Sequence, residues 1–214
     1  DYKKDLNEKK INLDDDYIKF IRYGQYFIDK NGSGILAYIS NNSFIDGITY
    51  RQMRKSLLES FDKIYILNLH GNSKKRETAL DGSVDQNVFD IMQGVSINIF
   101  VKTGMKKKSD LGKISQLDLQ GKREFKYDFL LTNSLNNISW SSLAVNEPNY
   151  YFRKLYLKNI IPYKTGFPLD KLFIKYSNGV TTERDQITIH FEEQSLNKII
   201  KDLNELESDQ FRNK

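Results

Sequence analysis

Residues 35–69 read ILAYISNNSFIDGITYRQMRKSLLESFDKIYILNL, and the order of patterns within them decides the fold. Ile35 to Ile39 is an unbroken apolar run, too short for a helix and bounded by turn residues, which predicts a strand buried on both faces. After Asn41-Asn42-Ser43-Phe44, the residues Met53, Leu57 and Leu58 recur at helical spacing and predict a helix over about 49–60. Ile64 to Leu69 is a second strand. Strand, helix, strand is the alternation of an α/β fold.

Upstream, Asp14-Asp15-Asp16 places short carboxylates where free amides at a helix start favour negative charge. A helix over 16–30 follows, with Tyr17, Phe20, Ile21, Gly24 and Ile28 at helical spacings and Asn31-Gly32-Ser33-Gly34 as its stop. Downstream, the polar stretch from Gly71 to Asp85 reads as a long loop, of a length that is usually functional. Val95 to Val101 alternates at first and predicts a strand exposed on one face. Short strands are expected at 114–119 and 125–130, then irregular chain through Trp140, a turn at 166–170 and a strand at 187–191. Leu196, Ile199, Ile200, Leu203 and Leu206 form the clearest amphipathic helix.

The chain has 214 residues, 33 Lys plus Arg against 28 Asp plus Glu, and no Cys. A disulfide scaffold and thiolate metal sites are therefore excluded. His70 and His190 lie far apart in sequence, which argues against zinc chemistry. No apolar run approaches the roughly 18 residues of a membrane span and the start has no secretory pattern, so a soluble, cytoplasmic protein with no membrane partner is expected.

No glycine-rich phosphate cradle is present. His70 follows a strand; it either acts as acid or base at the carboxyl end, where α/β sheets take ligands, or bonds loop backbone. His190 reads as a surface group. Solvated faces and helix ends account for the carboxylates at 14–16, 192–193, Asp81 and Asp85. Residues 102–126 carry eight basic side chains against three acids, whereas 183–209 carry eight acids against three bases. From Tyr150 to Lys175, Tyr150, Tyr151, Phe152, Tyr156, Tyr163 and Phe167 are interleaved with Arg153, Lys154, Lys158, Lys164, Lys171 and Lys175. Cations release counterions from phosphates and aromatic faces stack on bases, so this stretch is either a nucleic-acid surface or a core with solvated lysines. Lys74, Lys75 and Arg76 in the long loop are further DNA-contact candidates.

The blocks GILAYISNNSFIDGITYRQMRKSLLESFDKIYILNLHGN (34–72) and DQNVFDIMQGVSINIFVKTG (85–104), with the weaker SNGVTTERDQITI (177–189), carry a family resemblance. The chain resembles the second half of the adenine-specific, amino-group DNA methyltransferase domain of single-chain restriction-modification enzymes of types IIG and ISP. That resemblance implies a partial Rossmann-like sheet with a terminal antiparallel strand, followed by a smaller mixed α/β region. Residues 1–105 would be the C-terminal half of the core, and 106–214 a linker and the start of target recognition. It implies S-adenosylmethionine for the longer enzyme and none held by this stretch, with double-stranded DNA and the upstream half of the same polypeptide as partners. Phe89 matches the aromatic residue that covers an everted adenine; Asn41, Asn42 and Asn87 would border that pocket, and Thr181, Thr182 and Arg184 would touch DNA. The Asn-Pro-Pro-Tyr type tetrapeptide and the cofactor loop of the family are missing, proline occurring only at 148, 162 and 168. They are expected upstream of Asp1, so this chain alone is expected to be inactive, with no catalytic residue of its own. The competing reading is a non-catalytic DNA-binding module that uses the basic aromatic surface at 150–175.

Overall fold

The structure is a computed structural model and describes residues 2–6, 12–79, 81–154, 160–173, 175 and 188–205. The chain divides into two compact parts, Asp1–Tyr156 and Leu157–Lys214.

In the first part, helix α1 (Asp16–Asn31) ends where Gly32 takes φ +83° and donates its N–H to the carbonyls of Ile28 and Asp29. A glycine reaches that left-handed conformation without steric cost, hence the stop. Ile18, Ile21 and Gln25 are its buried residues. Phe20, expected on the inner face, is instead 59% exposed, and Tyr23, Tyr26 and Phe27 are also on the outside. Aromatic residues encircle α1, so spacing alone could not choose its inner face.

Five strands, β1 (Gly34–Asn41), β2 (Lys63–His70), β3 (Val95–Lys102), β4 (Lys113–Asp118) and β5 (Ser141–Leu143), form one sheet in the order β1-β3-β2-β4-β5. β3 is antiparallel to both β1 and β2, β4 is parallel to β2, and β5 is antiparallel to β4. Helix α2 (Arg51–Ser60) links β1 to β2 and buries Met53, Leu57 and Leu58 completely. The result is the mixed α/β architecture that the alternation of elements implied.

β1 is less covered than its sequence pattern implies, and β3 has its expected half-open face but with the apolar residues on it. β1 lies at the sheet edge and is buried on one face only: Leu36 packs under Gly24 of α1, while Ile35 and Ile39 are 68% and 49% exposed. An all-apolar run records that both faces want cover, and here one lacks it. β3, lying between β1 and β2, keeps one face part-exposed, but that face is the apolar one of Ile97, Ile99 and Val101, and the polar residues of the alternation point inward. Its Ser96 and Asn98 are fully buried because they satisfy one another, Ser96 Oγ donating to Asn98 Oδ1 at 2.9 Å and Asn98 Nδ2 to Ser40 Oγ at 3.1 Å. Buried polar groups are tolerated when hydrogen-bonded in this way.

The expected strand at 125–130 is a helix, α3 (Arg123–Thr132). Phe125, Tyr127 and Phe129 mimic a period of two, but burial selects the helical set Lys126, Phe129 and Leu130. Phe129 and Leu130 pack with Leu67, Leu117 and Trp140 on the opposite sheet face from the larger core of Ile21, Phe44, Leu57, Phe61, Ile66 and Phe100.

The second part, described by itself, contains α4 (Ile160–Thr165), α5 (Leu169–Leu172) and α6 (Glu193–Glu205). No strand is present at 188–191 among the described residues. Leu196, Ile200 and Leu203 of α6 are exposed, as are Tyr163 and Phe167.

Candidate nucleic-acid interface

β1, β2 and β4 run parallel to one another and end side by side, at Asn41, His70 and Asp118. The carboxyl end of such strands is where open α/β sheets receive ligands. A cleft of about 480 Å³ opens there, lined among others by Asn42, Asn68, His70, Lys75, Arg153 and Lys154. Lys75 stands on a one-turn helix (Ser73–Lys75) after β2, capped by Asn72 Oδ1 at 3.1 Å from the Lys75 N–H. Arg153 and Lys154 arrive from the far end of this part of the chain. Folding thus brings together two basic blocks nearly 80 residues apart, both singled out in the sequence. Lys74 and Arg76 are exposed beside Lys75 but do not line the cleft.

The floor of the cleft is a relay of amides ending on an ion cluster. Asn42 Nδ2 donates to Asn68 Oδ1 at 2.9 Å, and Asn68 Nδ2 donates to Asp118 Oδ1 at 3.0 Å. His70 Nε2 lies 2.8 Å from the same Asp118 oxygen, and its Nδ1 lies 3.6 Å from Glu77 Oε1. Burial alone would pull His70 below its ordinary value; the hydrogen bonds and charges of Asp118 and Glu77 overcome it and push it up to about 9. Burial likewise opposes the charge on Asp118 and Glu77, and His70 nonetheless holds both below the usual carboxylate range. His70 therefore stays charged at neutral pH and bonds carboxylates, neither of the roles read from sequence. Gln116, 2% exposed and also lining the cleft, lies beside Asp118, yet its Nε2 completes no hydrogen bond of ordinary geometry.

Asn41 is turned inward to its own loop: Oδ1 accepts from the N–H and Oγ of Ser43 at 2.8 and 2.7 Å. It caps the turn after β1 and does not reach the cleft. Asn42, buried, does.

On the other side of the His70–Gly71 corner lies a second cavity of about 540 Å³, lined by Asn87, Phe89, Ile91, Met92 and Arg123 among others. Asn87 is buried and donates Nδ2 to the carbonyls of Gly71 and Gln93 at 3.1 and 2.7 Å, while its Oδ1 accepts the N–H of Phe89 at 2.9 Å. Gly71 must be glycine here. It has φ +81°, and a Cβ would stand 2.4 Å from Asn87 Cα. Phe89 keeps 44% of its surface exposed, so its ring is presented to the cavity and not spent in the core. Beneath the segment, Asp85 and Lys126 form a fully buried ion pair at 2.8 Å, and Asp85 also accepts the N–H groups of Gly71 and Gly121 at 2.5 and 2.6 Å.

The basic aromatic stretch is not one surface. Tyr150 and Phe152 are buried, Phe152 meeting Phe44 edge-on at 6.2 Å between ring centres. Fully buried Arg54 fastens that segment, donating Nε and Nη2 to Asn149 O at 3.0 and 2.6 Å and Nη1 to the carbonyls of Phe44 and Gly47 at 2.7 and 2.8 Å. Sequence reading missed Arg54 because nothing local separates a buried arginine from a solvated one. Lys158, Thr181, Thr182 and Arg184 lie outside the described residues, as does the side chain of Lys164. Among the described residues no group of side chains is arranged to hold a metal ion, and no helix is long and apolar enough to cross a membrane.

No protein-family model and no curated protein matches the chain. Solved structures do. The ATP-dependent Type ISP restriction-modification enzyme LlaBIII bound to DNA is 32% identical over 93% of this chain, with a TM-score of 0.68. A nuclease-deletion mutant of the Type ISP restriction-modification enzyme LlaGI, in complex with a DNA substrate mimic, is 25% identical over 74% of this chain, with a TM-score of 0.58. The DrdV–DNA complex is 27% identical over 66% of this chain, with a TM-score of 0.56. The chain spans 13% of the length of each. It is thus similar, in sequence and in fold, to one segment of much longer proteins solved on DNA, two of them Type ISP restriction-modification enzymes.

Proposed function

We propose that the chain is the base-side segment of a site-specific DNA adenine methyltransferase within a restriction-modification enzyme, contacting duplex DNA and bordering the everted adenine. The observation that carries this reading is the juxtaposition at the carboxyl end of the sheet. Lys75, Arg153 and Lys154 rim one cleft, and the half-exposed Phe89 with Asn87 fills the cavity next to it. The likeness to enzymes solved on DNA supports the same partner.

In this reading the cations hold backbone phosphates and Phe89 stacks on the extruded base. Extrusion costs a few kcal/mol, and one aromatic stack returns about 1–3 kcal/mol, so stacking offsets much of that cost without completing it. Asn87 is committed to backbone on both ends of its amide and serves as the brace of Phe89. Asn42 is the amide that borders this cleft, whose lining also carries Asp46, 3.3 Å from Arg153, together with Glu77 and Asp118. The residues do not fit S-adenosylmethionine: the close backbone approach at Gly71 is filled by Asn87, and the polar floor of the cleft is committed to His70, Asp118 and Glu77. The methyl donor of the implied reaction would be held by other polypeptide, and β1, with one edge unpaired among the described residues and Ile35 and Ile39 uncovered, is the surface suited to receive it. Of the aromatic residues that a free-standing binding module would use, Tyr150 and Phe152 belong to the core, whereas Tyr163 and Phe167 are exposed.

The test is affinity for a fluorescent duplex as salt is varied, comparing the chain with the triple variant Lys75→Glu, Arg153→Glu, Lys154→Glu. Each phosphate contact contributes about 0.9 to the log–log salt slope, so the triple variant should lose about 2.7 of that slope and most of its affinity. An unchanged slope would reject this cleft as the DNA surface.

A further inference from the structure

The segment from Gln86 to Phe89 has no regular structure, yet each of its four successive carbonyls accepts a hydrogen bond from a side chain of α3. Lys126 Nζ donates to Gln86 O at 2.6 Å, Arg123 Nε to Asn87 O at 2.7 Å, Tyr127 Oη to Val88 O at 2.5 Å, and Arg123 Nη2 to Phe89 O at 3.2 Å. Arg123 also pairs with Asp90 at 2.7 Å, and its own N–H donates to Gln86 Oε1 at 2.9 Å. The buried Asp85–Lys126 pair anchors the same junction. An irregular segment normally bonds its carbonyls to water or to itself. Here one helix supplies a donor to every carbonyl in the run, as a neighbouring strand would.

From this we infer that α3 is the template that sets where Phe89 points, with Arg123, Lys126 and Tyr127 as positioning residues for the base-contacting segment. The inference rests on the reading of Phe89 as the residue that faces the base. α3 reaches Phe89 twice, directly through Arg123 on its carbonyl and through Asn87, whose Oδ1 holds the Phe89 N–H at 2.9 Å and whose own carbonyl accepts from Arg123 at 2.7 Å. A displacement of α3 would therefore carry the ring with it, coupling the base pocket to chain that lies beyond β4.

Amide hydrogen exchange on the intact 214-residue chain tests this. Arg123 is part-exposed, so Arg123→Gln should preserve the fold while removing hydrogen bonds made by a charged donor. The Phe89 amide should then exchange at least about tenfold faster, with amides of β2 and β3 unchanged. Tyr127→Phe, which removes a single donor and no ring, should give a smaller increase in the same segment, and Arg123→Lys should restore part of the protection. Unchanged exchange at Phe89 in both Arg123→Gln and Tyr127→Phe overturns the inference.

A duplex with 2-aminopurine opposite an abasic site supplies the second readout, because an unpaired base everts at low cost. Arg123→Gln should lose the stacking-induced quench while keeping the salt-dependent affinity. If exchange responds but Phe89→Ala leaves the quench of the parent chain unaltered, the template stands and the base-stacking reading of Phe89 is what fails.

Discussion

Raising the pH from 6.5 to 9.5 perturbs one group at the floor of the cleft more than any other described there. His70 is held protonated by Asp118 and Glu77 to about pH 9, against an ordinary value of 6.5. Over that interval the folded chain retains a proton that the unfolded chain has released, so stability falls as pH rises. The contribution is complete below about 6.5 and lost through 9. A displacement of about 2.5 pKa units corresponds to about 3 kcal/mol, a figure that belongs to the three-residue cluster jointly and is not to be added to gains assigned to the carboxylates. Urea unfolding at the two pH values, for the parent chain and for His70→Asn, isolates this effect. Asparagine tolerates the positive φ of 53° at this position while removing the charge. The parent should lose about 3 kcal/mol more than the variant between pH 6.5 and 9.5. Parallel pH profiles for the two proteins would refute the assignment of His70 as a charged cluster member.

Three further outcomes are expected. At the acid end, Asp118 and Glu77 are held below their ordinary values, so their stabilisation is complete above those values and should be lost as pH falls below them, and Asp118→Asn should flatten that limb of a urea titration. Arg54→Met should cost at least about 3 kcal/mol in the same assay, since the carbonyls of Phe44, Gly47 and Asn149 would lose a buried charged donor together. By contrast Phe89→Ala, at a half-exposed position, should cost under about 1 kcal/mol and still abolish 2-aminopurine quenching.

The central elements were legible because their signals are local. Ile35–Ile39 and Ile64–Leu69 are apolar runs too short for a helix, Met53, Leu57 and Leu58 recur at helical spacing, and Gly32 stops α1 by its own conformational freedom. The family motif singled out Phe89, Asn42 and Asn87, and the structure places Asn87 and Phe89 on one cavity and Asn42 on the cleft beside it. What sequence could not yield depends on partners distant along the chain: His70 with Asp118 is 48 residues apart, Arg54 with Asn149 is 95, and Lys126 with Gln86 is 40. A lysine at an alternating position, flanked by Phe125 and Tyr127, reads as the wet face of a strand. It becomes the buried anchor of a helix only once Asp85 is opposite it. The same holds for Ser96 and Asn98, polar residues that mark an exposed face until a hydrogen-bonding neighbour is known.

The uncovered face of β1 joins these observations to the proposed function. Ile35, Ala37 and Ile39 pair across to Val101, Ile99 and Ile97, so a continuous apolar stripe on β1 and β3 shares one side of the sheet. An exposed, unpaired apolar edge is a liability that proteins ordinarily cover. Under the proposed function a donor-binding polypeptide would pair with the β1 edge and cover this face, and Ile39→Asp should then spare the fold of this chain while weakening that association.

The most direct measurement is transfer of labelled methyl from S-adenosylmethionine to duplex DNA, by this chain and by a version extended upstream through the donor-binding half. The proposed division of labour between base-side and donor-binding polypeptide requires no turnover by the chain alone, turnover by the extended version, and its loss on Phe89→Ala. Turnover by the 214 residues alone, or none by the extended version on any duplex it binds, would contradict it.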